Sequence, residues 1–191
     1  MVVIPDGVFP KLAQLTDPTY LHSYFVDASP GTGDAYLNNS LSHAGSGWNT
    51  VVVAGLGGGG NSVFAVDMTS TTTASPNQFM WEYTDGDLGY TFSQSQVGRL
   101  HGSTSVGYWA AVFGNGYKES GGGAYLYIID LSDGSLIRKI QAGTDTDNGL
   151  STPVLVDINN DKVIDYAYAG DLQGNLWKFD LTDTDKDAWS A

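Results

Sequence analysis

Cysteine is absent from this 191-residue chain, so disulfides, thiol catalysis and zinc–thiolate centres are excluded. Basic residues are scarce: eight Lys and Arg stand against 21 Asp and Glu, for a net charge of −13. Such a chain has no basic patch with which to displace counterions from a phosphate backbone. Nucleic acid is therefore excluded as a partner, and an anionic membrane surface with it. No apolar run approaches the roughly 18 residues that span a bilayer, so no membrane insertion is expected. Met1-Val-Val-Ile-Pro lacks the basic and apolar regions of a secretory leader. If the protein is exported, its targeting segment is expected to have been removed or to lie upstream. A 3.6-residue apolar stripe longer than two turns is also missing, and Lys11-Leu-Ala-Gln-Leu supports one short helical turn.

What the chain does have is 25 glycines and 12% aromatics, with charged residues at only 15%, below the usual quarter or so. Glycine and aromatic enrichment with few long charged side chains suits short strands and tight turns. Apolar residues at 41% suffice for a packed core.

Three segments share one pattern. They are Asn49-Thr-Val-Val-Val-Ala-Gly leading to Ser62-Val-Phe-Ala-Val-Asp-Met-Thr, Trp109-Ala-Ala-Val-Phe-Gly leading to Ala124-Tyr-Leu-Tyr-Ile-Ile-Asp-Leu-Ser, and Asp165-Tyr-Ala-Tyr-Ala-Gly leading to Asn175-Leu-Trp-Lys-Phe-Asp-Leu-Thr. Each is an apolar strand ending in Gly, a Gly-rich turn, and a strand ending in Asp-apolar-Ser/Thr. The closing aspartates are Asp67, Asp130 and Asp180. Leading strands are expected at Ser23–Ala28, Ser95–Leu100 and Thr152–Asp157, and trailing strands at Phe79–Tyr83 and Leu136–Ile140. Four strands per repeat define propeller blades, expected over about 24–87, 94–144 and 151–181, with 1–22 and 182–191 flanking. The fold class is all-β, a partial β-propeller over 1–191 with about three four-stranded blades. Three blades do not close a propeller, so open blade edges and self-association through them are expected.

Chemistry concentrates between Asp157 and Asp165, which reads Asp-Ile-Asn-Asn-Asp-Lys-Val-Ile-Asp. Oxygen-bearing groups recur at the first, third, fifth and ninth positions: Asp157, Asn159, Asp161 and Asp165. The Val163 carbonyl supplies the seventh. A short loop with this spacing curls around one hard cation, and Ca2+ is the expected occupant. The alternative is an Asx-rich turn without metal. Position twelve is Tyr168, so the bidentate Glu of an EF-hand is missing and Asp165 must supply the tighter contact.

Taken in order, several motifs resemble the C-terminal β-propeller of the PilY/PilC family of type IV pilus-tip proteins. They are His22-Ser-Tyr-Phe-Val-Asp-Ala-Ser-Pro, Gly33-Asp-Ala-Tyr, Val53-Ala-Gly-Leu-Gly-Gly-Gly-Gly, Asp87-Leu-Gly-Tyr-Thr-Phe, Val112-Phe-Gly-Asn-Gly-Tyr, Asn148-Gly-Leu-Ser-Thr-Pro and Asp165-Tyr-Ala-Tyr-Ala-Gly-Asp-Leu-Gln-Gly-Asn-Leu-Trp-Lys-Phe-Asp-Leu. The resemblance implies a quinoprotein-like propeller without enzymatic activity, acting in pilus biogenesis, extension and retraction control, and adhesion. Its partners would be pilins or minor pilins and host or abiotic surfaces. Its place would be extracytoplasmic, at the cell surface or pilus tip. The family's calcium ligands fall on the same Asp157, Asn159, Asp161, Val163 and Asp165. Here Asn160 and Lys162 stand where that loop usually has glycine. A left-handed backbone at Lys162 would cost about 1 kcal/mol and so weaken affinity.

Other candidates are weaker. Asp145-Thr-Asp-Asn reads as a loop between blades, Asp183-Thr-Asp-Lys-Asp as a frayed end, and Asp85 with Asp87 as turn residues. His22, His43 and His101 have no partner at ligand spacing, and Gly57–Gly60 lacks the Gly-Lys-Ser/Thr ending of a phosphate loop. Trp48, Trp81, Trp109, Trp177 and Trp189 serve either inter-blade packing or sugar stacking. The rival functional classes are accordingly a quinoprotein-type dehydrogenase propeller and a sugar-binding propeller.

Overall fold

The three Asp-apolar-Ser/Thr endings fold alike. The Oδ1 of Asp67 accepts the N–H of Thr69 at 2.8 Å and its hydroxyl. Asp130 does the same for Ser132 at 2.7 Å, and Asp180 for Thr182 at 3.0 Å. A carboxylate that captures the backbone two residues on bends the chain out of the extended state, so each Asp is a strand terminator.

The computed structural model describes residues 3–37, 47–70, 78–117 and 122–191. His43 lies outside these residues, and so do most of Ser40–Gly47 and Ser70–Asn77 and the first glycine of 121–123, stretches whose Gly, Ser, Pro and Asn content reads as loop. Strands β1 (Gly31–Leu37), β2 (Gly47–Gly55), β3 (Ser62–Asp67) and β4 (Phe79–Thr84) form one antiparallel sheet in sequential order. Strands β5 (Gln96–Leu100), β6 (Tyr108–Gly114), β7 (Ala124–Asp130) and β8 (Leu136–Ala142) repeat it. Strands β9 (Val154–Val156), β10 (Tyr166–Gly170) and β11 (Leu176–Asp180) make a third sheet. The lead strands lie side by side, β1 against β5 and β5 against β9. Successive up-and-down sheets with their first strands adjacent are the β-propeller arrangement. Gly55, Gly114 and Gly170 each end the second strand of their sheet.

The middle sheet is buried on both faces, and period-2 alternation shows how. Ala110, Val112, Leu126 and Ile128 pack toward the third sheet, with Leu150, Ala167, Phe179 and Trp189. Ala111, Phe113, Tyr127 and Ile129 pack toward the first, with Val51, Val53, Val63 and Trp81. Phe113 and Tyr127 stack at 5.6 Å with planes 8° apart, each ring fully buried. Each such side chain contributes on the order of 1.5–3 kcal/mol. Asn115, also fully buried, ties the sheets together. Its Oδ1 accepts the N–H groups of Tyr125 and Leu150, both at 3.0 Å, and its Nδ2 donates to the carbonyls of Asp87 and Gly123.

Two expectations are corrected. The leading strand of the first blade is not Ser23–Ala28 but Gly31–Leu37. The Ser23–Ala28 stretch instead crosses the β2–β3 turn, with the Asp27 N–H on the Leu56 carbonyl and the Gly58 N–H on Asp27 Oδ1 at 2.7 Å. Glycines suit β1 because inner strands converge. A Cβ on Gly31 would overlap the Ser95 carbonyl oxygen, and one on Gly33 would lie 2.7 Å from Val97. The second correction concerns the tail, which is docked rather than frayed. Trp189 is buried, its indole N–H donates to the Asp183 carbonyl at 2.8 Å, and Arg138 bonds Asp187 at 3.1 Å. Ser190 then bridges Asp180 antiparallel, where β4 and β8 stand in the other sheets. A 3-10 helix over Phe9–Thr16 contains the turn expected at Lys11.

Candidate functional site

The 157–165 loop joins β9 to β10, the first and second strands of the third sheet. Its backbone curls because side-chain oxygens capture successive N–H groups. Asp157 Oδ1 accepts from Asn160 at 2.6 Å and Asp161 at 3.2 Å, and its Oδ2 from Lys162 at 2.8 Å. Asn159 Oδ1 accepts from Asp161 at 2.9 Å, and Asp161 Oδ1 from Val163 at 2.8 Å. Asn160 and Lys162 are left-handed, with φ of 63° and 70°. The strain foreseen at Lys162 is therefore present. Its ammonium rests on Asn160 Oδ1 at 2.6 Å. Desolvation works against ionisation of Asp157, but the N–H groups of Lys162, Asn160 and Asp161 outweigh it and lower its pKa.

Asp165 differs from the others because it is buried, with 4% exposure. Its Oδ2 accepts the Ile158 N–H at 2.8 Å, and its Oδ1 lies 3.1 Å from His101 Nε2. The histidine comes from the segment just after β5, so His101 does have a partner, one 64 residues away in sequence that no local spacing reveals. The loop is also sewn to the middle sheet: the Ile164 N–H donates to the Arg99 carbonyl at 2.8 Å, and Leu100 and Ile164 form a parallel bridge.

The donor set is all hard oxygen, which suits calcium or magnesium. A carboxylate oxygen carries two lone pairs, so acceptance of one N–H leaves capacity for an ion. Among the described residues no three His, Asp or Glu side chains gather closely enough to hold a metal by themselves. A cation would thus depend on the Asn159 amide and Val163 carbonyl beside the carboxylates.

Two further polar clusters were missed in the sequence. Asp171 accepts from Trp177 Nε1 at 2.8 Å, Asn148 Nδ2 at 3.0 Å, and Asn175 Nδ2 and N–H at 2.9 and 2.8 Å. Desolvation opposes them, yet together they hold its carboxyl well below the ordinary range. Asp85 and Asp87 do more than turn the chain: both bond Lys139 on β8, and the Tyr127 hydroxyl donates to Asp85 at 2.7 Å. Asp145 and Asp147 fall on the β8–β9 connection, as expected. Trp81 and Trp189 are buried between sheets and Trp177 packs against the core, whereas Trp48 is 63% exposed.

Comparison with known proteins agrees with this architecture. Residues 5–190 match the PilY1 beta-propeller domain. The chain is 47% identical over 186 residues to the type IV pilus biogenesis factor PilY1 of Pseudomonas aeruginosa strain UCBPP-PA14, covering 93% of this chain and 15% of that protein. It is 40% identical over 200 residues to a PilY1 homolog of Xylella fastidiosa strain Temecula1, covering 97% of this chain and 13% of that one. The crystal structure of the Pseudomonas aeruginosa PilY1 C-terminal domain superposes with a TM-score of 0.73 at 41% identity, over 95% of this chain and 34% of that domain's chain. The chain thus spans only 13 to 15% of the length of these two full-length relatives. With residues 5–190 matched to its propeller domain, the chain belongs to the PilY1 β-propeller family.

Proposed function

We propose that this chain is a non-enzymatic, calcium-binding propeller segment of a type IV pilus biogenesis factor. It acts outside the cytoplasm, at the cell surface or pilus tip, in pilus assembly, control of extension against retraction, and adhesion. Its partners are pilins or minor pilins and host or abiotic surfaces. The pilus assignment rests on relatives named as pilus biogenesis factors. The observation that carries the calcium reading is the curled 157–165 loop, whose Asp157, Asn159 and Asp161 side chains already accept from the loop's own N–H groups.

When bound, calcium would neutralise Asp157, Asp161 and Asp165 and stiffen the β9–β10 connection. The chain's own residues set the affinity. Asp157 pre-forms the turn, the Val163 carbonyl and Asn159 amide add neutral donors, and His101 with the Ile158 N–H orients Asp165. Lys162 brings a competing charge and a strained backbone. Affinity is therefore expected between micromolar and millimolar, weaker than high-affinity loops.

Calorimetric titration of calcium into chelator-treated chain tests this. Wild type should show a saturable signal and gain about 2.7 kcal/mol at a hundredfold excess over the dissociation constant. Asp161→Ala should lose most of both. Equal heats and equal melting temperatures for the two proteins would reduce the site to a turn. Alcohol-dependent dye reduction after incubation with pyrroloquinoline quinone would overturn the non-enzymatic reading.

A further inference from the structure

Three aromatic rings meet between the first two sheets, and none of them belongs to the 157–165 loop. Tyr36 on β1 stands directly opposite Trp48 on β2. Their rings lie 5.8 Å apart at 82°, and Trp48 meets Trp109 on β6 at 5.6 Å and 76°. The packing is edge-to-face, so the cluster is rigid and binding against it spends little rotamer entropy. It lines two adjoining clefts of about 220 and 150 Å³ that share Tyr36, Val106 and Trp109. Trp48 is 63% exposed, Val106 51% and Tyr36 46%. Singly exposed apolar residues are ordinary, but a contiguous aromatic cleft is not.

The indole nitrogens separate these tryptophans from the others. Trp81 donates to the Leu131 carbonyl, Trp177 to Asp171 and Trp189 to the Asp183 carbonyl. Among the described residues none accepts from Trp48 or Trp109. The rim adds polar groups of both kinds. Arg99 spends Nε and Nη2 on the Val106 and Ser105 carbonyls, at 2.8 and 2.6 Å, and among the described residues Nη1 has no acceptor. Asp130 spends Oδ1 on Ser132, leaving Oδ2 to accept.

We propose that this cleft, floored by Tyr36, Trp48 and Trp109 and rimmed by Arg99 and Asp130, binds a neutral saccharide. A pyranose has an apolar C–H face to lie on an indole ring, and hydroxyls that both donate and accept. A proline-rich segment offers acceptors but no proline N–H, so it leaves Asp130 unmatched. A quaternary ammonium would suit the rings but is repelled by Arg99. An anionic glycan meets Asp130 on a chain of net charge −13. Electrostatics from both sides therefore select an uncharged ligand. The clefts are shallow and small, so affinity for one disaccharide is expected in the millimolar range.

The test titrates cellobiose, maltose and N,N′-diacetylchitobiose separately into the 191-residue chain, following tryptophan emission and saturation-transfer NMR. At least one should saturate. Trp48→Ala should weaken it by about tenfold without lowering the melting temperature, because that side chain is largely exposed. Asp161→Ala should bind as wild type does, which keeps failure here distinct from failure of the calcium reading. The proposal is overturned if no disaccharide saturates up to its solubility, or if Trp48→Ala binds unchanged. Saturation at Trp48 by a polyproline peptide or choline alone would overturn it equally.

Discussion

A Cβ added to Gly114 would overlap the carbonyl oxygens of Leu150 and Ser151, on the segment leading into the third sheet. Both are backbone atoms and cannot swing aside. Gly55 meets Thr91 in the same way, yet at Gly170 the nearest atoms lie 3.7 and 3.8 Å off. Gly114→Ala is therefore expected to cost about 1–3 kcal/mol in denaturant midpoint, and Gly170→Ala to be neutral or stabilising by up to about 1 kcal/mol. Equal costs at the two positions would refute the close-approach account. Lys162 gives a sign that magnitudes decide. Relief of its left-handed backbone gains about 1–2 kcal/mol, and the added freedom of an unfolded glycine returns about 0.4–1 kcal/mol. Lys162→Gly should thus be slightly stabilising and should tighten calcium binding, read by titration of both proteins. The curl of the 157–165 loop was legible in the sequence because its oxygen-bearing side chains recur periodically and capture local N–H groups. The partnership of His101 with Asp165 was not, since only the docking of β5 beside β9 brings them together.

Strands were legible where both faces are apolar, as in β6 and β7. The first inner strand was missed because Gly31-Thr-Gly-Asp has poor β-propensity. Crowding against β5 selects those glycines, and crowding is a tertiary fact. Between sheets the polar contacts are specific. The Asp85 carboxylate on the turn after β4 faces Lys139 of β8 and Tyr127 of β7, with Tyr83 and Asp87 nearby. Desolvation raises its pKa, but Tyr127, the Asp87 N–H and Lys139 prevail and hold it at about 2. A depressed carboxyl stabilises the fold above its unfolded value and ceases to as it protonates. This clasp is expected to contribute about 1–2 kcal/mol that is present above about pH 4 and lost as pH falls toward 2. Wild type and Asp85→Asn should converge in denaturant midpoint as pH drops through that window; parallel curves would deny Asp85 the role. Asn115→Ala should cost more, about 3 kcal/mol or above, because four hydrogen bonds to three segments go at once and leave buried groups unpaired.

For the whole molecule, repeat grammar was enough to place three successive sheets, since each ends in the same Asp–Ser/Thr turn. What covers the outer faces was not legible. On the far face of the third sheet Val154 and Leu176 are 62 and 76% exposed, and Leu172 on the β10–β11 turn is 54% exposed. The isolated 191-residue chain is expected to self-associate through that face, and Leu176→Lys to suppress this in light scattering at high concentration. A monomeric wild type would count against that expectation. The bridge from Ile164 to Arg99 bears on a different quantity, time. It joins positions 65 residues apart, so it can close only after the second and third sheets have formed and met. An ion gripped by the loop would then have little to hold in the folding transition state and much to hold in the native one. Its effect should fall on the rate of escape: bound calcium should lengthen the folded lifetime and barely change the time taken to fold. Stopped-flow folding arms that shift with calcium as much as the unfolding arms would place the loop's closure early instead.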